Sequence, residues 1–240
     1  MSNKPTASKK PADDNSASQP VVILSERIVQ RHKRRKIRAY SNNEKLVDER
    51  RTKIIKGALK LFRQKGIKGV AMADVAKASR MSIGSLYRYF GGKDDLLYAI
   101  WRGYENKLNE FFITKLTEIE NLKPSDALRE LIKSYIYSVD ASRNQVLILY
   151  LDTRSAPKAD QEAVKQGDEY IIKLFERILI KGIHSGEFKI DNIKLIAHNI
   201  KALADLWAIR GWTLKDSQTL EGYIKGQTEL ILRAILANKE

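Results

Sequence analysis

The stretch Val75-Ala76-Lys77-Ala78-Ser79-Arg80-Met81-Ser82-Ile83-Gly84-Ser85-Leu86-Tyr87-Arg88-Tyr89-Phe90 decides the fold. Two short helical patterns meet in it across a tight turn. Val75 and Ala76 are small and apolar, so a first helix can pack closely on a second. Ser82 stands where an N-cap is wanted, because its hydroxyl can accept an orphan backbone N–H of the next turn. Leu86 and Phe90 fall four apart and define an inward stripe. Gly84, Tyr87 and Arg88 then face roughly the other way. An outer face that is aromatic, basic and small suits a polyanion, and helix, short turn, helix with a polar reading face is the helix-turn-helix pattern.

Working outward, the charge of the chain gathers around this stretch. The 240 residues carry a net charge of +15. Residues 1–102 hold 24 Lys and Arg against 9 Asp and Glu, whereas residues 103–240 hold 20 of each. A merely solubilising charge would spread over both halves. A one-sided basic footprint is what binding to a phosphate backbone requires.

Residues 1–20 are rich in Ser, Pro, Ala, Asn and Lys without periodicity and read as a disordered tail. Val21-Val22-Ile23-Leu24 forms an apolar patch, either a docked segment or part of an arm. The cluster Arg31-His32-Lys33-Arg34-Arg35-Lys36-Ile37-Arg38 suits phosphates or a minor groove; a solvated charge run explains it equally well. The expected division is a tail and basic arm over residues 1–42, a helix-turn-helix domain over 43–92, and a ligand-binding and dimerisation domain over 93–240.

Helical periodicity fills the rest. Ile54, Ile55, Ala58, Leu61 and Phe62 place a helix from about Glu44 to Lys65, stopped by Gly66. Gly91-Gly92 breaks the chain before a long helix from about Lys93 to Asn121, whose first turn carries Asp94 and Asp95. Further helices are expected from Pro124 to Ser142, over 144–154, from Ala159 to Ser185 with Gly186 as stop, from an Asp191 cap to Trp212, and from Ser217 to Ala237. No strand pattern appears, so the fold class is all-α. The last two long helices are apolar on more than one face, at Ile193, Ile196, Ile200, Leu203 and Trp207 and again at Leu195, Leu206 and Ile209 in the first of them. Such helices are buried on more than one side. A four-helix interface in a homodimer accounts for this more simply than a central position in a larger monomer, given the place at the end of the chain.

Over residues 51–104 the sequence resembles the TetR family of transcriptional regulators. Ala58, Leu61, Phe62, Gly66 and Gly69 carry the likeness in the first helix and its turn; the opening stretch and Lys93-Asp94-Asp95-Leu96-Leu97 carry the remainder. Beyond residue 104 the likeness is one of helix lengths and order. The resemblance implies about nine helices, a small N-terminal DNA-binding domain, a C-terminal ligand-binding and dimerisation domain, and a repressor of double-stranded operator DNA released by a small molecule. It implies base contacts from Ile83, Gly84 and Ser85, and phosphate contacts from Tyr87, Tyr89 and Lys93. Met72 and Ala73 take the N-terminal contact positions of the second helix, and Arg80, Ser82 and Arg88 complete the expected surface.

The residue chemistry supports those assignments. Gly84 permits close backbone approach, Ser85 can bond a base edge or a phosphate, and Lys93 opens a helix whose N-terminus favours an anion. Tyr87 is read as a phosphate contact against the alternative of a half-buried surface aromatic. Two departures from the family stand out. Arg80 occupies a turn position where the family has Gly and φ > 0 is often needed, at a cost of about 1 kcal/mol or in exchange for a phosphate contact. Ala71 replaces the usual Thr N-cap, so the second helix lacks a capping oxygen and should be held less firmly.

The C-terminal half says less. Asp152-Thr153-Arg154, with Trp207, Arg210 and Trp212, is similar to a branch of the family that responds to acyl-CoA thioesters of fatty-acid, steroid or aromatic-acid degradation. A CoA ligand needs an apolar tunnel and cationic groups for its phosphates. Tyr135, Val139, Leu149 and Trp207 are the expected wall, Arg154 and Arg210 the expected charges. Plain core packing, an Arg154 ion pair and a different hydrophobic effector such as an antibiotic or dye are the competing readings, and a basic protein binding DNA without sequence preference competes with the repressor reading.

No cofactor is expected. The absence of cysteine excludes disulfides and thiolate metal sites, and His184 and His198 lack carboxylates at ligand spacing. Gly91-Gly92-Lys93 does not have P-loop spacing. No nucleophile–base pair points to an enzyme. No apolar run is long enough to span a membrane, no secretory h-region is apparent, and Asp13 and Asp14 argue against organellar transit, so the expected location is the cytoplasm.

Overall fold

The computed structural model describes residues 44–152 and 158–237. The tail and basic arm expected over residues 1–42, and Arg154, lie outside the described residues. The described chain is helical throughout: α1 (Glu44–Lys65), α2 (Met72–Ala78), α3 (Ile83–Tyr87), α4 (Lys93–Ile119), α5 (Pro124–Ala141), α6 (Arg143–Asp152), α7 (Lys158–His184), α8 (Ile193–Ile209), α9 (Gly211–Ser217) and α10 (Leu220–Ile235).

The four N-terminal helices close on an apolar core of Ile54, Ala58, Phe62, Val70, Val75, Ala76, Leu86, Phe90, Leu96 and Ile100. Gly57 lets the end of α2 approach α1, since a Cβ there would stand 2.9 Å from the Ser79 hydroxyl, itself fully buried. Ile148 of α6 inserts into the same core, and α6 packs on α1 and α4 on one side and α8 on the other. It therefore touches both halves of the described chain.

In the C-terminal half α5, α7 and α8 pack on one another, with α4 along them and α10 against α5. Tyr135 of α5 stacks with Phe112 of α4 and Phe175 of α7 at ring separations of 5.8 and 5.9 Å. Such aromatic contacts add to the burial of large apolar surfaces that holds the bundle together. The chain end docks on the turn after α7 through Lys189 N–H to the Ile235 carbonyl at 2.8 Å and Ala237 N–H to that of Glu187 at 3.0 Å. This isolated bridge is the only β pairing among the described residues.

Three expectations change in detail. The helix expected to run from Asp191 to Trp212 starts after Asn192, whose side chain accepts the Leu195 N–H at 3.0 Å. It ends at Ile209, and the separate turn of helix α9 brings the helices among the described residues to ten, where about nine were expected for the chain. The start of α2 is better held than the missing Thr suggested. The Asp74 carboxylate reaches back to accept the Ala71 N–H at 2.9 Å, supplying half of a capping box and a negative charge at the positive end of the helix.

Candidate nucleic-acid interface and effector core

The turn between α2 and α3 is closed by Met81 N–H to the Ala76 carbonyl at 3.0 Å and Arg80 N–H to that of Lys77 at 3.1 Å. This route places Arg80 at φ 56°, the left-handed conformation expected from its alignment with a glycine. Ser82 caps α3 as expected, its oxygen accepting the Ser85 N–H at 3.1 Å, and its hydroxyl donates to the Ser85 hydroxyl at 2.9 Å. Leu86 and Phe90 are buried beneath α3. With its inner side fixed, the helix presents Ile83, Gly84, Tyr87 and Arg88 to solvent, flanked by exposed Ala73 and Arg80.

The remaining expected contacts are placed differently. Met72 and Tyr89 are partly buried and pack against the N-terminal core. Lys93, at the first residue of α4, is partly buried, and its ammonium donates to the Ile67 carbonyl at 2.8 Å. An exposed isoleucine on a polar face is informative: Ile83 contributes nothing to the core, yet it offers an apolar surface of the kind that contacts a thymine methyl group. Along α1, Lys53, Lys56, Lys60 and Arg63 are also exposed.

In the C-terminal half Tyr135, Val139 and Trp207 are buried along the contact of α5 with α8, and Leu149 is partly buried on α6. The Trp207 indole N–H donates to Asp140 at 2.8 Å. Arg210 stays at the surface with its guanidinium 5.3 Å from the centre of the exposed Trp212 ring. Lys215 lies 5.2 Å over the Trp207 ring and 3.5 Å from Asp140. The residues expected to wall an effector tunnel are packed into the bundle, and of the two expected cations Arg210 sits at the surface.

The residues that sequence reading missed form the most unusual part of this core. Lys201 and Asp205 of α8 are buried and paired at 2.6 Å; Lys201 also meets Asp168 of α7 at 2.9 Å, and the Tyr135 hydroxyl donates to Asp205 at 2.9 Å. Burial alone would lower the pKa of Lys201, but the two carboxylates override it and hold the ammonium above the ordinary lysine range. Burial raises Asp205, against the opposing pull of Lys201 and Tyr135. The Tyr104 and Tyr135 hydroxyls are pushed up by burial first and then by Asp205, so both stay protonated donors. A signal for this cluster existed: Lys201 and Asp205 share the buried stripe of Ala197, Ala204 and Ala208, a charged pair set among alanines. His184 and His198 are exposed, and no cluster able to hold a metal is found among the described residues. Nor is any described helix long and apolar enough to cross a membrane.

Comparison with known proteins gives two matches to family models. "Bacterial regulatory proteins, tetR family" covers residues 54–100, and "Tetracyclin repressor-like, C-terminal domain" covers residues 121–205. The HTH-type transcriptional regulator HbdR of Aromatoleum sp. (strain CIB) is 28% identical over 204 residues, 85% of this chain and 88% of that protein. A regulatory protein of the tetR family from Rhodococcus RHA1 superposes with a TM-score of 0.71 at 21% identity, covering 79% of this chain and 98% of its own. AibR, crystallised with isovaleryl coenzyme A and operator DNA, superposes with a TM-score of 0.65 at 19% identity, covering 75% of this chain and 97% of its own. With its helix-turn-helix and its C-terminal bundle both matched, the chain belongs to the TetR family of bacterial regulatory proteins.

Proposed function

We propose that the protein is a transcriptional repressor that binds a palindromic operator as a homodimer and is released by a small-molecule effector, an acyl-CoA thioester or related degradation intermediate. The observation that carries the DNA-binding part is the exposed face of α3, with Ile83, Gly84, Tyr87 and Arg88 outward over buried Leu86 and Phe90. A recognition helix of five residues reads bases only if its frame is rigid, and the Ser82 cap, the Arg80 turn and the packed underside supply that rigidity. In this reading residues 43–92 form the DNA-binding domain and 93–240 the effector and dimerisation domain.

Dimerisation is supported by Leu195 and Leu230, 53% and 59% exposed on helices whose other faces are buried. Effector response is supported by α6, which places Ile148 in the N-terminal core while packing on α8; a ligand that displaces α6 changes the seat of the reading helix. The thioester reading draws on AibR, whose crystals hold isovaleryl coenzyme A. Selection of binding sites from a random duplex pool tests the proposal. The expected outcome is an inverted repeat, bound about tenfold more weakly by Tyr87→Ala, and released by the effector. A pool without enrichment contradicts it.

A further inference from the structure

The cluster around Lys201 joins more helices than any single ion pair needs. Tyr104 comes from α4, Tyr135 from α5, Asp168 from α7, and Lys201 and Asp205 from α8. Tyr150 of α6, exposed, lies close enough to feel the charges of Asp205, Lys201 and Asp168. The side chains of Lys201 and Asp205 are 10% and 3% exposed, whereas that of Asp168 is 52% exposed. Buried charges of this kind add little net stability compared with well-packed apolar residues, and in ligand-binding domains they mark candidate sites.

The hydrogen-bond inventory defines what the cluster can receive. Both oxygens of Asp205 are taken, one by Tyr135 and one by Lys201. The ammonium has three N–H groups, two of which face carboxylates. Asp168 is the replaceable partner, because its carboxylate loses little hydration penalty on swinging into solvent, whereas Asp205 cannot leave. What replaces it must be an acceptor. A cation would meet the ammonium directly, and an apolar group would leave it half paired in a dry site. A carboxylate exchanges charge for charge, and a carbonyl leaves a neutral Lys201–Asp205 pair.

We propose that Lys201 is the anchor for the effector, with an acyl oxygen, either the carboxylate of an apolar acid or the carbonyl of its thioester, taking the place of Asp168. Tyr104 and Tyr150, both near enough to feel the charges of the cluster, are the aromatic residues offered to the acyl body. This deepens the effector reading above and rests on the C-terminal bundle being a small-molecule site. It also gives the exchange a structural consequence, since the Asp168–Lys201 pair ties α7 to α8 and the incoming oxygen breaks that tie.

Calorimetric titration of the full-length protein tests the proposal with saturated acids of two to eighteen carbons, benzoate, their CoA thioesters, and CoA alone. The wild type is expected to bind an acid or thioester from this set and CoA alone at least tenfold more weakly. Lys201→Met is expected to weaken that binding at least tenfold. Asp168→Asn, a change at a half-exposed site whose fold is checked by circular dichroism, is expected to strengthen it severalfold, because the competing carboxylate is gone. Acids binding without their thioesters, or the reverse, identify which acyl oxygen the site takes. The proposal is overturned if no compound of the set binds, if CoA alone binds as tightly as its thioesters, or if Asp168→Asn leaves the affinity unchanged. A compound that binds through Lys201 yet leaves the DNA complex intact strikes the repressor reading and not the anchor.

Discussion

Lys93 donates from its ammonium to the carbonyl of Ile67 at 2.8 Å, tying the first residue of α4 to the turn that follows α1. Because α4 continues into the C-terminal bundle, this bond fixes the frame of the reading helix to the effector domain. It occupies one of three N–H groups, which leaves two for a phosphate. Lys93→Met is expected to lower stability by about 1–2 kcal/mol, the usual loss for a bond from a charged donor. It is also expected to flatten the salt dependence of DNA binding by about 0.9 in log–log slope, the value of one phosphate contact. Thermal unfolding and anisotropy titrations at several salt concentrations check the two effects separately.

Arg80 holds φ 56° in the turn between α2 and α3. Glycine is unstrained there but raises the entropy of the unfolded chain, so Arg80→Gly is expected to gain between zero and about 1 kcal/mol in urea unfolding. The same change removes an exposed cation beside the reading face, so DNA affinity is expected to fall while stability does not.

The start of α2 depends on Asp74, which accepts the Ala71 N–H. Asp74→Ala is expected to cost about 1 kcal/mol, and Ala71→Ser to add about 0.5–1 kcal/mol by supplying the absent N-cap oxygen. Thermal melts of the two single variants test the signs directly.

Glu105 of α4 is buried with Arg102 at 3.0 Å, and burial raises its carboxyl above the ordinary range of 4.5 despite that partner. Its folded-state value is therefore the higher one. The stability contributed by the protonated form is complete below pH 4.5 and is lost as pH rises through the folded value. Glu105→Gln, neutral at every pH, is expected to match the wild type in melting temperature near pH 4 and to exceed it at pH 7.5.

The helix-turn-helix was legible because its signals are local. The Ser82 cap, the spacing of Leu86 and Phe90, and the Arg80 turn all act within a few residues. The break after Ile209 was not, because apolar residues continue in helical register through Trp212 and the Arg210 N–H still bonds to the Leu206 carbonyl at 2.8 Å. The charged cluster was half legible. Lys201 and Asp205 lie one turn apart on a stripe of alanines, but Tyr135 and Asp168 come from other helices, and no periodicity joins residues 70 positions apart. Lys93 and Tyr89 were read as phosphate contacts, whereas the bond of Lys93 to the Ile67 carbonyl and the packing of Tyr89 on the core depend on the folded turn and are invisible in sequence.

A repressor of one operator requires the exposed face of α3 to read sequence rather than charge alone. The most direct measurement is the ratio of affinities for the selected inverted repeat and for random duplex of equal length, taken at 150 mM salt. A sequence-reading dimer gives a ratio of about 10³ or more. A ratio near one, set by salt and indifferent to sequence, contradicts the account.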